Sequence, residues 1–209
     1  VGYDQYMGGL MLNPVEGGLN DLLAHYGITV ENSLVMDAQN EPFPMPVQRN
    51  VGGITVQEIQ ALNYPFFADI RTDGMDTTHP IVSQLNAVTL NWSSPVTLDE
   101  TKNEGRQTSV LLRSSDRSWL RTSLDINPNL EQYPQTGFAV EGEQSSHALA
   151  VAVSGTFESY FKGKPSPLLQ ASQEAAEGQP TPTPAAQTGS TIESSPDSAR
   201  LVVIGSGDF

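Results

Sequence analysis

Five residues stand where their chemistry could be used: Asp37, His79, Arg113, Ser118 and Trp119. Arg113, Arg117 and Arg121 recur at a spacing of four around the Ser118-Trp119 pair. Guanidinium forks at that spacing can grip an anion, and the competing reading is salt bridging to an acidic surface. Asp37 closes the apolar run 34–36. In an α/β sheet, ligands bind beyond the carboxyl ends of the strands, where Asp37, Arg113 and the turn at Gly205 would meet. Trp92, Trp119 and Tyr133 would then offer stacking faces to a carbohydrate. His79 precedes Pro80, which reads by default as a cap or turn.

Most reaction templates fail on this sequence. There is no cysteine, so thiol catalysis and thiolate metal sites are excluded. His25, His79 and His147 are never four apart, and no H-E-x-x-H occurs, so a zinc hydrolase has no local support. No G-x-S-x-G elbow surrounds any serine. Residues 205–208 (GSGD) follow an apolar run, where phosphate loops sit, yet a strand-exit turn explains a lone GxG as well. Residues 69–74 (DIRTDG) resemble a calcium loop faintly, but Arg71 takes a ligand position and Pro80 the place of the bidentate Glu. Asp73 and Asp76 read instead as turn residues bonding local backbone. A hydrolase would need scattered carboxylates, Asp37 with Asp69 or Asp208, to meet in one cleft. The sequon Asn91-Trp92-Ser93 falls in a predicted strand. No cofactor site and no metal site is expected.

The elements that must position these residues read as follows. Leu19, Leu22, Leu23 and Tyr26 share one helical face, and Gly27 stands where such a helix stops. Ile28 and Val30 alternate, and residues 34–36 look like a strand. Helix, glycine, extended chain is an α/β unit. Prolines at 42, 44 and 46 predict extended loop, not sheet centre. Ile54, Val56, Ile59 and Leu62 fit a short helix broken at Pro65, with 66–70 extended. Val88, Leu90 and Trp92 alternate as a half-buried strand. Residues 109–113 and 118–121 read as strands, and 123–146 as irregular. Residues 147–153 read as a strand that is apolar on both faces, as a strand covered on both sides must be. Residues 171–198 have almost no large apolar side chain and predict a flexible insertion before the run 201–204.

A chain of 209 residues is long enough to bury a sizeable core without a disulfide or metal. Its net charge of -14, from 24 acidic and 10 basic residues, repels nucleic acid and anionic headgroups. No apolar run reaches the ~18 residues of a membrane helix. Because Val1 opens the chain and Phe209 closes it just after an apolar run, it reads as a piece of a longer protein whose anchors lie elsewhere.

Several stretches carry a family resemblance: LNDLLAHYGITVENSLVMD, HPIVSQLNAVTLNWSSPV, VLLRSSDRSW, ALAVAVSGTFESYFKGKP and, after the polar insert, ARLVVIGSGDF. In order and character they resemble the extracytoplasmic domain of the gliding-motility-type (GldG-like) auxiliary component of ABC transport systems, over nearly the whole chain. The resemblance implies one α/β domain over 1–209: a three-layer sandwich with a mainly parallel central sheet, class I glutamine-amidotransferase-like or flavodoxin-like. It implies a non-enzymatic role, ABC-transporter membrane and ATPase subunits as partners, and an extracytoplasmic position anchored by helices outside this chain. It supplies no catalytic residues. The amidotransferases use a Cys nucleophile, and this sequence has none.

Overall fold

A computed structural model describes residues 2–4, 9–12, 18–164 and 192–207. The strands are β1 (Gly2–Asp4), β2 (Gly9–Met11), β3 (Ile28–Val30), β4 (Leu34–Asp37), β5 (Asn40–Val51), β6 (Ile54–Arg71), β7 (Ala87–Asn91), β8 (Val96–Leu98), β9 (Gln107–Arg113), β10 (Ser118–Arg121), β11 (Ala148–Ser154) and β12 (Arg200–Ile204). The one α-helix among the described residues is α1 (Leu19–His25), and a 3-10 turn spans Thr72–Gly74.

The expected three-layer α/β sandwich does not form. Every strand pair among the described residues is antiparallel: β1 with β2, β10 with β4, β3 with β8, β12 with β11 with β9, and β5 with β6 with β7. A parallel pair needs a crossover of a dozen or more residues, usually a helix. Here α1 has seven residues and buries only Leu23. Residues 148–154 and 200–204 do share a sheet, as neighbours running in opposite directions.

The strand β11 is covered on both faces, as its apolar run requires. On one side Val151 and Val153 pack with Leu23 of α1, Ile28 of β3 and Val96 of β8. On the other, Leu149 and Ala150 pack with Val35 of β4, Ala68 and Ile70 of β6 and Leu90 of β7. Strands thus supply most of the cover expected from helices. A third cluster joins Met36, Tyr64, Phe66, Trp119, Ile126 and Phe138.

Single backbone hydrogen bonds stitch the small sheets together. Val35 N–H donates to Ser93 O, Ser94 N–H to Gly205 O, and Gly205 N–H to Leu149 O. Asp76 N–H donates to Leu111 O on the free side of β9. The sequon lies within this weave, with Ser93 fully buried, so the hydroxyl that the sequon must present is out of reach.

Two local expectations are corrected. Residues 54–62 form strand rather than helix, because Gly52 and Gly53 (φ 60° and 85°) turn β5 into β6 as a two-residue hairpin. Residues 40–49 form strand rather than loop, and the prolines are tolerated because β5 is an edge strand. Of the stretch 171–198, residues 171–191 lie outside the described residues. Beyond them Ser159 N–H donates to Glu193 O and Ser195 N–H to Phe157 O, which ties this segment to the body. Asp208 also lies outside the described residues.

Candidate functional site

Asp37 closes β4 and Arg113 closes β9, and the contact of Asp37 with Ser115, two residues beyond Arg113, brings the two strand ends to one region. Asp37 is 1% exposed. Its carboxylate accepts from Gln39 N–H at 2.8 Å, Ser115 N–H at 2.7 Å and Ser115 Oγ at 2.5 Å. Ser115 Oγ in turn accepts from Arg117 N–H at 3.1 Å. Short hydroxyl side chains favour such local backbone bonds, which is why residues 114–117 turn here. Asp37 therefore clamps the turn after β9 to the end of β4, and both its oxygens are engaged.

Ser118 lies opposite Asp37 in the β4–β10 register and is fully buried. Its hydroxyl donates to Ser145 O at 2.6 Å, so at the 2.7 Å contact between Ser114 Oγ and Ser118 Oγ the proton comes from Ser114. His147 N–H donates to Ser114 Oγ at 2.8 Å. The chain of hydroxyls ends on a carbonyl, not on a base, so neither serine is activated as a nucleophile.

Above this clamp lies a cavity of about 420 Å³, lined by Gln39, Arg71, Asp73, Arg113, Ser115 and Asp116, among others. Arg71 is tied to Asp69 at 2.6 Å and to Glu41 at 3.3 Å. Arg113 is exposed and carries no side-chain ion pair or hydrogen bond among the described residues. Its guanidinium is the cavity's free donor set, able to hold a carboxylate or phosphate. Gly74, in the cavity wall, lets the 3-10 turn pack close against β9: a Cβ there would stand 2.6 Å from Arg113 O. Sequence reasoning offers no site role for Arg71, Ser114 or Ser115, and reads Asp73 only as a turn residue. The 69–74 stretch did signal a turn, and Asp73 Oδ1 accepts from Gly74 N–H at 3.1 Å, while Asp76 accepts from Thr78.

The remaining candidates are elsewhere. His79 stands in a turn, where its carbonyl accepts from Val82 and Ser83 N–H and its Nδ1 faces Ile81 N–H at 3.3 Å. It lines a separate groove of about 210 Å³ with Gln107 and Arg200. Trp119 is 1% exposed and belongs to the third core cluster, with Trp92 packed against it. Neither offers a stacking face over the Arg113 cavity, and Tyr133 lines a third hollow with Arg121. Gly205 is not in the Arg113 cavity; it pairs with Ser94 and Leu149. Asp69 is turned to Arg71 and Asp37 to Ser115, so these two carboxylates serve different contacts. Among the described residues, no group of three or more His, Asp or Glu could hold a metal ion. No helix among them is long and apolar enough to cross a membrane.

Among the described residues a serine hydroxyl meets a histidine ring at Ser145 Oγ and His147 Nε2, 3.4 Å apart. Burial pushes the His147 imidazole below its ordinary value of 6.5, against the opposing pull of Glu31 and Asp37. A folded value below the unfolded one favours the neutral ring. That contribution to stability is complete above pH 6.5 and is lost as pH falls through the folded value. Melting temperature should therefore fall as pH drops below 6.5. The fall should be smaller in His147→Gln, and equal slopes in the two proteins would contradict the assignment.

The model of a protein family described as an ABC-type uncharacterized transport system matches residues 3–209. No curated protein matches this chain, and no solved structure matches it.

Proposed function

The chain belongs to that family, auxiliary components of ABC-type transport systems, and on this premise we propose that it is a non-enzymatic, extracytoplasmic interaction domain of a gliding-motility-like transport complex. Its partners on this reading are the transporter's membrane and ATPase subunits, and its membrane anchors lie in segments outside this chain. The observation that carries the reading is what the chemistry-bearing residues do. Asp37 holds a turn, the Ser118 hydroxyl donates its hydrogen bond to a backbone carbonyl, and Trp119 fills core. Side chains so engaged maintain a shape for a partner to recognise.

The test is to tag the protein at its own gene, solubilise native membranes and identify what co-purifies by mass spectrometry. Membrane and ATPase subunits of one ABC transporter should appear in comparable amounts, and Ser118→Ala should leave the transport phenotype intact where the protein accumulates. Purification without any transporter subunit would overturn the reading.

The free Arg113 guanidinium favours a second reading, a small-anion site in the 420 Å³ cavity. Thermal-shift titrations with carboxylates and phosphate test it. A stabilisation lost in Arg113→Ala supports it, and no shift with the parent protein rejects it.

A further inference from the structure

The hairpin of β5 and β6 outruns the body it grows from. Residues 54–61 of β6 are all exposed, whereas most of those from 62 to 70 are buried. Eight strand residues span roughly 25 Å, so this is an arm and not a loop. Strand β7 pairs with β6 only from Phe67 to Arg71, with one more bond from Trp92 N–H to Phe66 O. Outward of that point the arm is a ribbon of two strands.

Its outer half carries aliphatic side chains that nothing covers. Val51, Ile54, Val56 and Ile59 are 55%, 68%, 40% and 74% exposed. Val51 and Ile54 are register partners beside the turn, and Val56 follows Ile54 on the same face. That face continues inward to Leu62 and Tyr64, which are buried. Ile59 points to the opposite face. A two-stranded ribbon is marginal on its own in water, and clustered exposed aliphatics mark a surface with a partner.

We propose that the tip of this arm inserts into an apolar groove on a basic surface of a membrane subunit of the transport system. The inference rests on the function proposed above. Apolar residues on both faces call for an occupant that flanks the ribbon, and a flat surface covers only one. A lipid bilayer is disfavoured because a two-stranded ribbon carries open edges whose N–H and C=O groups find no partner in hydrocarbon. A second copy is disfavoured because each chain carries a net charge of -14, and two would repel. The same net charge, carried by the body rather than by the arm, is complementary to a partner whose surface around the groove is basic. Pro42, Pro44 and Pro46 remove donors from β5, which discourages strand addition on that side and leaves the faces to bind.

The test places a photo-cross-linking amino acid at position 54 or 59 of the protein in its native membranes, with Thr101 on an exposed loop as the control position. A cross-link from 54 and 59 to a transporter membrane subunit, absent from 101, is expected. The double substitution Ile54→Ser with Ile59→Ser should lower co-purified subunit about tenfold, as loss of an apolar anchor does, with no fall in melting temperature. Cross-links confined to lipid or to a second copy would overturn the proposal, as would undiminished co-purification of the double variant. In that last case the transporter association stands and only the arm's role falls. Loss of all transporter subunits from the parent protein itself would instead remove the function on which the proposal rests.

Discussion

Replacing Gly205 by alanine is expected to lower the melting temperature by about 6–12 °C, the shift that a loss of about 3 kcal/mol produces in a domain of this size. A Cβ at this position would overlap the Ser94 carbonyl oxygen and crowd Val96. Neither partner can move cheaply. Ser94 N–H donates to Gly205 O at 2.7 Å and Gly205 N–H to Leu149 O at 2.8 Å. These bonds join the sheet of β11 and β12 to the segment that also receives Val35 of β4. Pushing Ser94 away opens the seam between two core clusters at once. Gly207 is the control, since nothing stands within 4 Å of a Cβ there. Differential scanning calorimetry of Gly205→Ala and Gly207→Ala decides the matter. If the glycines formed an anion loop, both variants would melt normally and lose a ligand; the contacts here predict one damaged fold and one undamaged.

The same glycine shows what sequence alone can reveal. The apolar runs at 148–153 and 201–204 both announce buried strands; the first is one, whereas in the second Val203 alone is buried and Val202 is exposed, because β12 is the edge of its sheet. Their direction is not legible, because an apolar run fits a central parallel strand and an antiparallel strand covered on both sides equally well. Pairing is decided by contacts between distant residues, such as Val151 with Val203. The hairpin was legible in principle. Gly-Gly between Val51 and Ile54-Thr55-Val56 is a two-residue turn signal, and alternate prolines suit an edge strand. The helical reading of 54–62 relied on four apolar positions spaced two and three apart, which settle neither period. Outside the body no packing imposes a period at all, so the arm's exposed residues could follow partner contacts instead. Asp37 and Arg113 were marked by the strands they end, and the structure does bring both to one region. The contact that engages Asp37 comes from Ser115, 78 positions away, and no local pattern announces it.

Asp37→Ala should cost about 3 kcal/mol, because removing a buried charged acceptor leaves its donors unpaired. Three donors converge on it: two amides, from Gln39 and Ser115, and the Ser115 hydroxyl. Alanine leaves those two amides without their acceptor beside a side chain that is 1% exposed. Asparagine is the informative companion. It keeps one carbonyl oxygen in nearly the same place but loses the second acceptor and the charge, so a smaller loss of about 1–2 kcal/mol follows. Urea unfolding gives both values, and hydrogen exchange locates them. Protection of the Ser115 amide should fall in both variants while that of Val151, deep in β11, falls only with global stability. A ligand-binding aspartate would behave differently, since freeing a functional carboxylate of its repulsions usually leaves stability unchanged or raises it. The sign of the stability change thus separates a clamp from a binding group, and with it the reading of this region as scaffold from the reading of it as chemistry. Should Asp37→Ala prove as stable as the parent, the turn at 114–117 is held by something other than this carboxylate, and the wall of the Arg113 cavity lacks the support assigned to it.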